Sequence, residues 1–216
     1  AYEELGNTFA RLAPGGGVGA RGRQMAGFAD VRRLEAMYAR FEVVSFKKSE
    51  EQNVKVLLDT KPAEIKEIED LAMSIVSTYA DFDSSAAAIY YLGRAYLRYS
   101  DMLFEAPPPK GLDEESKSIY YEEIDKLRIP IEDKGRARLQ VNLDKAAEAK
   151  RWNEWVSRTL TFLADRFPGD FAMDKAEIRG QSASTFVPRA AAMPLRPKPE
   201  EPATETQPAA PEGGAQ

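Results

Sequence analysis

Between Leu34 and Leu163 the apolar residues return every three or four positions, and nowhere do they alternate with a period of two. That spacing predicts an all-α chain. Residues 2–12 open it, with Tyr2, Leu5, Phe9 and Leu12 on one helical face, before Pro14 and the glycines at 15, 16, 17, 19 and 22 interrupt the pattern. From about Ala29 to Lys48, Val31, Leu34, Met37, Tyr38, Phe41, Val44 and Phe46 fit a second helix. Val54, Val56, Leu57 and Leu58 continue a buried segment expected to break at Thr60–Pro62, where Thr60 is a plausible N-cap. A helix over 61–79 follows, carrying Ile65, Ile68, Leu71, Ala72, Ile75 and Val76. Asp83 or Ser84 is expected to cap the next helix, which runs through Phe104 until Pro107, Pro108 and Pro109 end it. Asp113 precedes a helical stretch to Leu127, and Pro130 is placed near the start of another that runs to Arg151. Its companion, Trp152–Phe167, buries Trp152, Trp155, Val156, Leu160 and Leu163 and stops at Pro168-Gly169. A short helix over 172–179 would cap the stack.

Tyr79–Tyr96 mixes small residues with aromatics at the spacing of tightly packed antiparallel helices. Gly93 and Ala95 would let a neighbour approach closely, and Ile89, Leu92 and Tyr96, at i, i+3 and i+7, make a stripe for the next helix to cover. The segment Tyr79–Ala88 is echoed by Phe167–Ala176: each begins at an aromatic helix end, turns on Asp, Gly or Pro, and restarts with alanine. Three regions result. Residues 1–59 hold N-terminal helices around a Gly-rich loop, and 60–180 hold stacked helical hairpins. Residues 181–216, rich in Pro, Ala and Glu, have too little apolar surface to offset chain entropy and are expected to be a disordered tail.

Composition narrows the chemistry. Thirty Lys and Arg against 35 Asp and Glu give a net charge of −5 and no basic footprint for nucleic acid. With no cysteine and no histidine, thiol nucleophiles, imidazole bases and Cys/His zinc sites are excluded, and neither cofactor nor metal is expected. The acidic runs Asp113-Glu114-Glu115 and Glu122-Glu123 point around a helix rather than to one spot, as a solvated face does. The run from Pro14 to Arg23 could cradle a phosphate, but it lacks the closing G-K-[ST] and reads as an inter-helix loop. No run approaches the ~18 apolar residues of a membrane-spanning helix. The chain opens without Met and already in helical pattern, which predicts a piece of a longer protein.

The segment Lys145–Pro168 has the order of a tetratricopeptide unit: small residues, a short turn near Lys150–Asn153, apolar positions and a closing proline. Over roughly 60–180, most clearly at Leu92, Gly93, Tyr96 and Ala164–Pro168, the chain resembles the tetratricopeptide-repeat (TPR) family, especially its bacterial envelope members. The connection through Pro107–Leu112 is longer than that family's, and 113–151 lacks a second L-G-x-x-Y. A looser likeness of the whole sequence is to repeat proteins of the gliding-motility machinery. The resemblance implies an α-solenoid, a periplasmic or envelope setting with the cytoplasm as the alternative, and a concave surface that holds a protein or peptide partner.

Tyr90, Tyr120 and Tyr121 are candidate contact residues, because tyrosine offers area and a polar tip at low entropy cost. Arg94 and Arg98, one turn apart, could clamp a carboxylate, and Trp152 with Trp155 could form an aromatic shelf. Each has a plainer reading as core aromatic or solvated arginine. The expected function is therefore a non-catalytic interaction scaffold; the rivals are a carboxylate-based enzyme on a helical frame and a connecting segment of a larger protein.

Overall fold

Asp81, Asp113 and Asn153 each turn a side-chain oxygen onto the backbone N–H three residues on, at 2.9, 2.8 and 2.9 Å. These bonds satisfy donors that a helix start leaves without partners, and they fix where three helices begin. The computed structural model describes residues 2–12, 19–43 and 53–171. These fold as six helices without a strand: α1 (Tyr2–Leu12), α2 (Ala20–Phe41), α3 (Asn53–Tyr79), α4 (Phe82–Glu105), α5 (Glu114–Ala149) and α6 (Glu154–Arg166). The all-α expectation holds. None of these helices is long and apolar enough to cross a membrane.

The sequence of α4 dictates its place. Its alanines, tyrosines and leucines are apolar on nearly every side, and a helix of that kind must be surrounded. Accordingly α4 packs against α2, α3, α5 and α6, while α2 also touches α3 and α5 touches α6. Met102, Leu103, Ala88 and Ala95 are wholly buried, and the core continues into Leu34, Ile75, Leu139 and Leu163. Small residues set the closest approach. A Cβ on Gly93 would lie 2.5 Å from Leu139 Cγ, and one on Gly135 would lie 3.0 Å from the Gly93 carbonyl oxygen. The two glycines thus bring α4 and α5 backbone to backbone, the role expected of Gly93.

Polar ties cross the same packing. The Tyr79 hydroxyl donates to buried Asp30, Tyr91 to Glu35 at 3.0 Å, and Tyr96 to Glu69 at 2.9 Å. Asn142 Nδ2 donates to the Ala86 carbonyl and to Thr159 Oγ1, joining α4, α5 and α6. Arg166 forks onto both oxygens of Asp101 at 3.0 and 2.6 Å.

Several expected boundaries move. α2 begins at Ala20, nine residues before Ala29, and takes Gly22 into the helix. The break at Thr60–Pro62 does not occur: α3 runs through Pro62, so the division placed at 59/60 falls inside a helix. Likewise α5 runs unbroken through Pro130. Both prolines are exposed, as are Leu58 and Lys126, whose carbonyls lose a partner four residues on, so water can take the place of the missing N–H. The N-cap of α4 is Asp81, ahead of the expected Asp83 or Ser84. The Gly-rich loop at 13–18, the stretch 44–52, the short helix over 172–179 and the tail 181–216 lie outside the described residues.

Candidate functional site

α3 and α5 flank α4 on the side away from α2 and α6, and between them the face of α4 carrying Phe82, Ser85, Ile89 and Leu92 is left as the floor of a trough of about 720 Å³. Of the predicted stripe Ile89, Leu92 and Tyr96, the first two lie in this floor, and Tyr96 is buried beyond it. Ile89 stays half-buried, and no helix among the described residues covers it. Met73 and Val76 on α3, with Ala80 just past its end, form one wall. Arg138, Val141, Lys145, Glu148 and Ala149 form the α5 wall, with Arg151 just beyond. Met73 and Val141 are 45% and 41% exposed, large apolar side chains held open to solvent.

One end is closed by charge. Glu69 on α3 accepts from Arg138 on α5 at 3.1 Å and from the Tyr96 hydroxyl, and Lys134 Nζ lies 3.6 Å away. Burial pushes the Glu69 carboxyl up, but the Tyr96 hydroxyl, Lys134 and Arg138 outweigh it and hold the group below the usual carboxylate range. Burial raises the Tyr96 phenol. The opposite end is closed by Arg151, whose guanidinium lies 4.6 Å over the Phe82 ring. Ala80 and Lys150, the two non-glycine residues with positive φ (49° and 50°) among those described, end α3 and α5 beside it.

The six candidate residues do not assemble into one surface. Tyr90 is only 8% exposed and packs on Tyr91 and Trp155 at 5.5 and 5.7 Å. Arg94 donates to the Tyr90 hydroxyl and lies among the rings of Tyr38, Tyr90 and Phe162, nearest to Phe162 at 4.5 Å. Beside it the Tyr38 hydroxyl is buried without a hydrogen bond, and burial pushes that phenol up to about 12 against the pull of Arg94. Arg98 donates its Nε to the Glu42 carbonyl at 3.2 Å and pairs with Glu105. The two arginines of the expected clamp thus face different partners: Arg94 is held among rings, and Arg98 caps the C-terminal end of α2, where a cation is favoured. Tyr120 donates to the Ala106 carbonyl at 3.4 Å and stacks edge-on with Tyr121, on the first turns of α5 and away from the trough. Trp152, expected on the buried side, is 63% exposed, with Nε1 donating to Ser157 Oγ. Trp155 instead packs inward on Tyr91 at 5.4 Å.

Sequence reasoning missed Met73, Val76, Val141, Lys145 and Arg151. The i, i+3, i+7 run of Arg138, Val141 and Lys145 was the signal available, but two of its three members are charged and read as a solvated face. No family model, curated protein or solved structure matches the chain.

Proposed function

We propose that the protein is a non-catalytic helical scaffold that holds a protein partner in the trough between α3 and α5. One observation carries this reading: a bounded apolar trough whose floor is the outward stripe of the central helix. Exposed apolar surface that is concave and rimmed by polar residues is what binding sites present. Two of the charged residues around it are committed to structure, Arg138 to Glu69 and Asp81 to the cap of α4, while Lys145 pairs only with exposed Glu148. Carboxylates with resolved shifts, Glu35, Glu69 and Asp113, are displaced downward, opposite to a general acid at neutral pH. The successive helices α3 to α6 and the glycine contact at Gly93 support a TPR-like stack; the 36-residue α5 is longer than such a repeat's helices. A periplasmic or envelope setting, in a motility or other multiprotein assembly, is part of the same proposal.

The experiment is capture from the source cell with the full chain as bait, comparing wild type, Ile89→Glu in the trough and Ile119→Glu on exposed α5, each checked for native helicity. A protein retained by wild type and Ile119→Glu but lost with Ile89→Glu is the expected result. Retention indifferent to Ile89→Glu would place binding elsewhere and overturn the reading.

A further inference from the structure

The two walls of the trough differ in kind. From α3 and the turn after it come Met73, Val76, Ala80 and Asp81, whose carboxylate is taken up by Ser84 at the cap of α4, whereas α5 and its C-terminal turn supply Arg138, Lys145 and Arg151 against Glu148. Arg151 is stacked on Phe82 rather than set on a carboxylate. Lys145 holds Glu148 only as a pair more than 60% exposed on both sides, which is readily exchanged for another anion. The occupant that complements this asymmetry has an apolar face toward α3 and α4 and an acidic edge toward α5.

The backbone of the occupant is also constrained. An extended peptide carries a row of unpaired N–H and C=O groups that need partners when buried. The walls here are helices whose own backbone is already bonded, and on the α3 and α4 side Met73, Val76, Ala80, Phe82, Ile89 and Leu92 have nothing to give such a row. A helix arrives with its backbone satisfied. The α5 wall from Arg138 to Ala149 is about 17 Å of helix at 1.5 Å per residue, which matches about three turns. Among the described residues α4 has neighbours on every side except the arc between α3 and α5, so one more helix completes its shell.

We propose that the trough takes an amphipathic α-helix of about three turns from a partner protein, its apolar face on Met73, Ile89 and Val141 and its carboxylate edge along Lys145 and Arg151. This rests on the scaffold reading and gives it a partner class. The test is selection of displayed ~16-residue peptides on the full chain, followed by titration of the synthesised winner against wild type, Ile89→Glu and the double reversal Lys145→Glu/Arg151→Glu. Both reversed side chains are exposed, and circular dichroism confirms that each variant stays helical. The expected winners carry apolar residues at i, i+3 or i+4, and i+7 with Asp or Glu along one edge. Ile89→Glu abolishes their binding, and the double reversal weakens it by about tenfold or more, restored when the peptide's acids become lysines. No enrichment, winners rich in proline or lacking the acidic edge, indifference to charge reversal, or a co-purifying lipid displaced by Ile89→Glu would each overturn the proposal. If capture of the cellular partner still depends on Ile89 while charge reversal has no effect, the scaffold reading stands and the acidic-helix assignment falls.

Discussion

Adding a single methyl at Gly93 tests the contact on which the stack depends. Its Cβ would sit 2.5 Å from Leu139 Cγ, 2.6 Å from Cδ2 and 3.2 Å from the Gly135 carbonyl oxygen, separations at which something must move. Leu139 is wholly buried and cannot swing into solvent. Two terms oppose each other in Gly93→Ala. Replacing glycine by alanine inside a helix gains about 1 kcal/mol, while overpacking a closed core costs about 1–3 kcal/mol. The geometry selects the upper part of that cost, for a net loss of about 1–2 kcal/mol. Leu139→Ala alone should cost about 2–5 kcal/mol, but it also clears the space the new methyl needs. The double variant should therefore lose less than the sum of the single losses, with a coupling of about 1–2 kcal/mol. Urea unfolding of the four proteins, followed by circular dichroism, gives the cycle. Additivity within about 0.5 kcal/mol, or a Gly93→Ala variant stabilised by about 1 kcal/mol as an open helix site would be, would refute the close approach of α4 and α5.

Other outcomes follow from the same structure. Ala80→Gly relieves a side chain held at φ 49° and should raise stability by about 0.5–1 kcal/mol in thermal unfolding, whereas a loss would mean the Ala80 methyl packs on the trough wall by more than that strain. Lys61, buried with its Nζ on the Phe41 carbonyl and on Glu64, caps the end of α2, and Lys61→Met should cost about 1–3 kcal/mol; an unchanged urea midpoint would contradict that role. Burial, joined by carboxylates at Tyr79 and Tyr91, raises the phenols of Tyr38, Tyr79 and Tyr91. Their neutral forms are favoured in the fold, so their contribution is complete below the ordinary value of 10.0 and declines as pH rises from there toward about 12 for Tyr38. Unfolding midpoints that stay flat across that window would contradict the burial of these hydroxyls.

The helical period and the strong stops were legible in the sequence, because Pro107–Pro109 and Pro168-Gly169 act locally. The proline at 130 misled for a tertiary reason. α4 holds α5 on both sides of Pro130, through Ser100 donating to the Arg128 carbonyl before it and through Gly135 and Leu139 after it. Gly93 was readable as a close contact, but its partner Gly135, 42 residues on, carries no local signal. Arg94 and Arg98 looked like a pair because they are one turn apart. What separates them is long-range: Phe162 encloses one and the Glu42 carbonyl engages the other. The trough eluded the sequence because its α3 and α5 walls are brought together only by packing on α4 and by the Glu69–Arg138 pair, whose members are 69 residues apart.

The central claim is that the partner docks on the α4 stripe between α3 and α5. Methyl-labelled protein carrying assigned Met73, Ile89, Leu92 and Val141 signals, titrated with the captured partner, tests it most directly. The account predicts that these methyls shift together and saturate with one affinity, while Ile119 and Ile129 on the exposed face of α5 remain unmoved. Shifts confined to Ile119 and Ile129, with Met73 and Ile89 still, would contradict it.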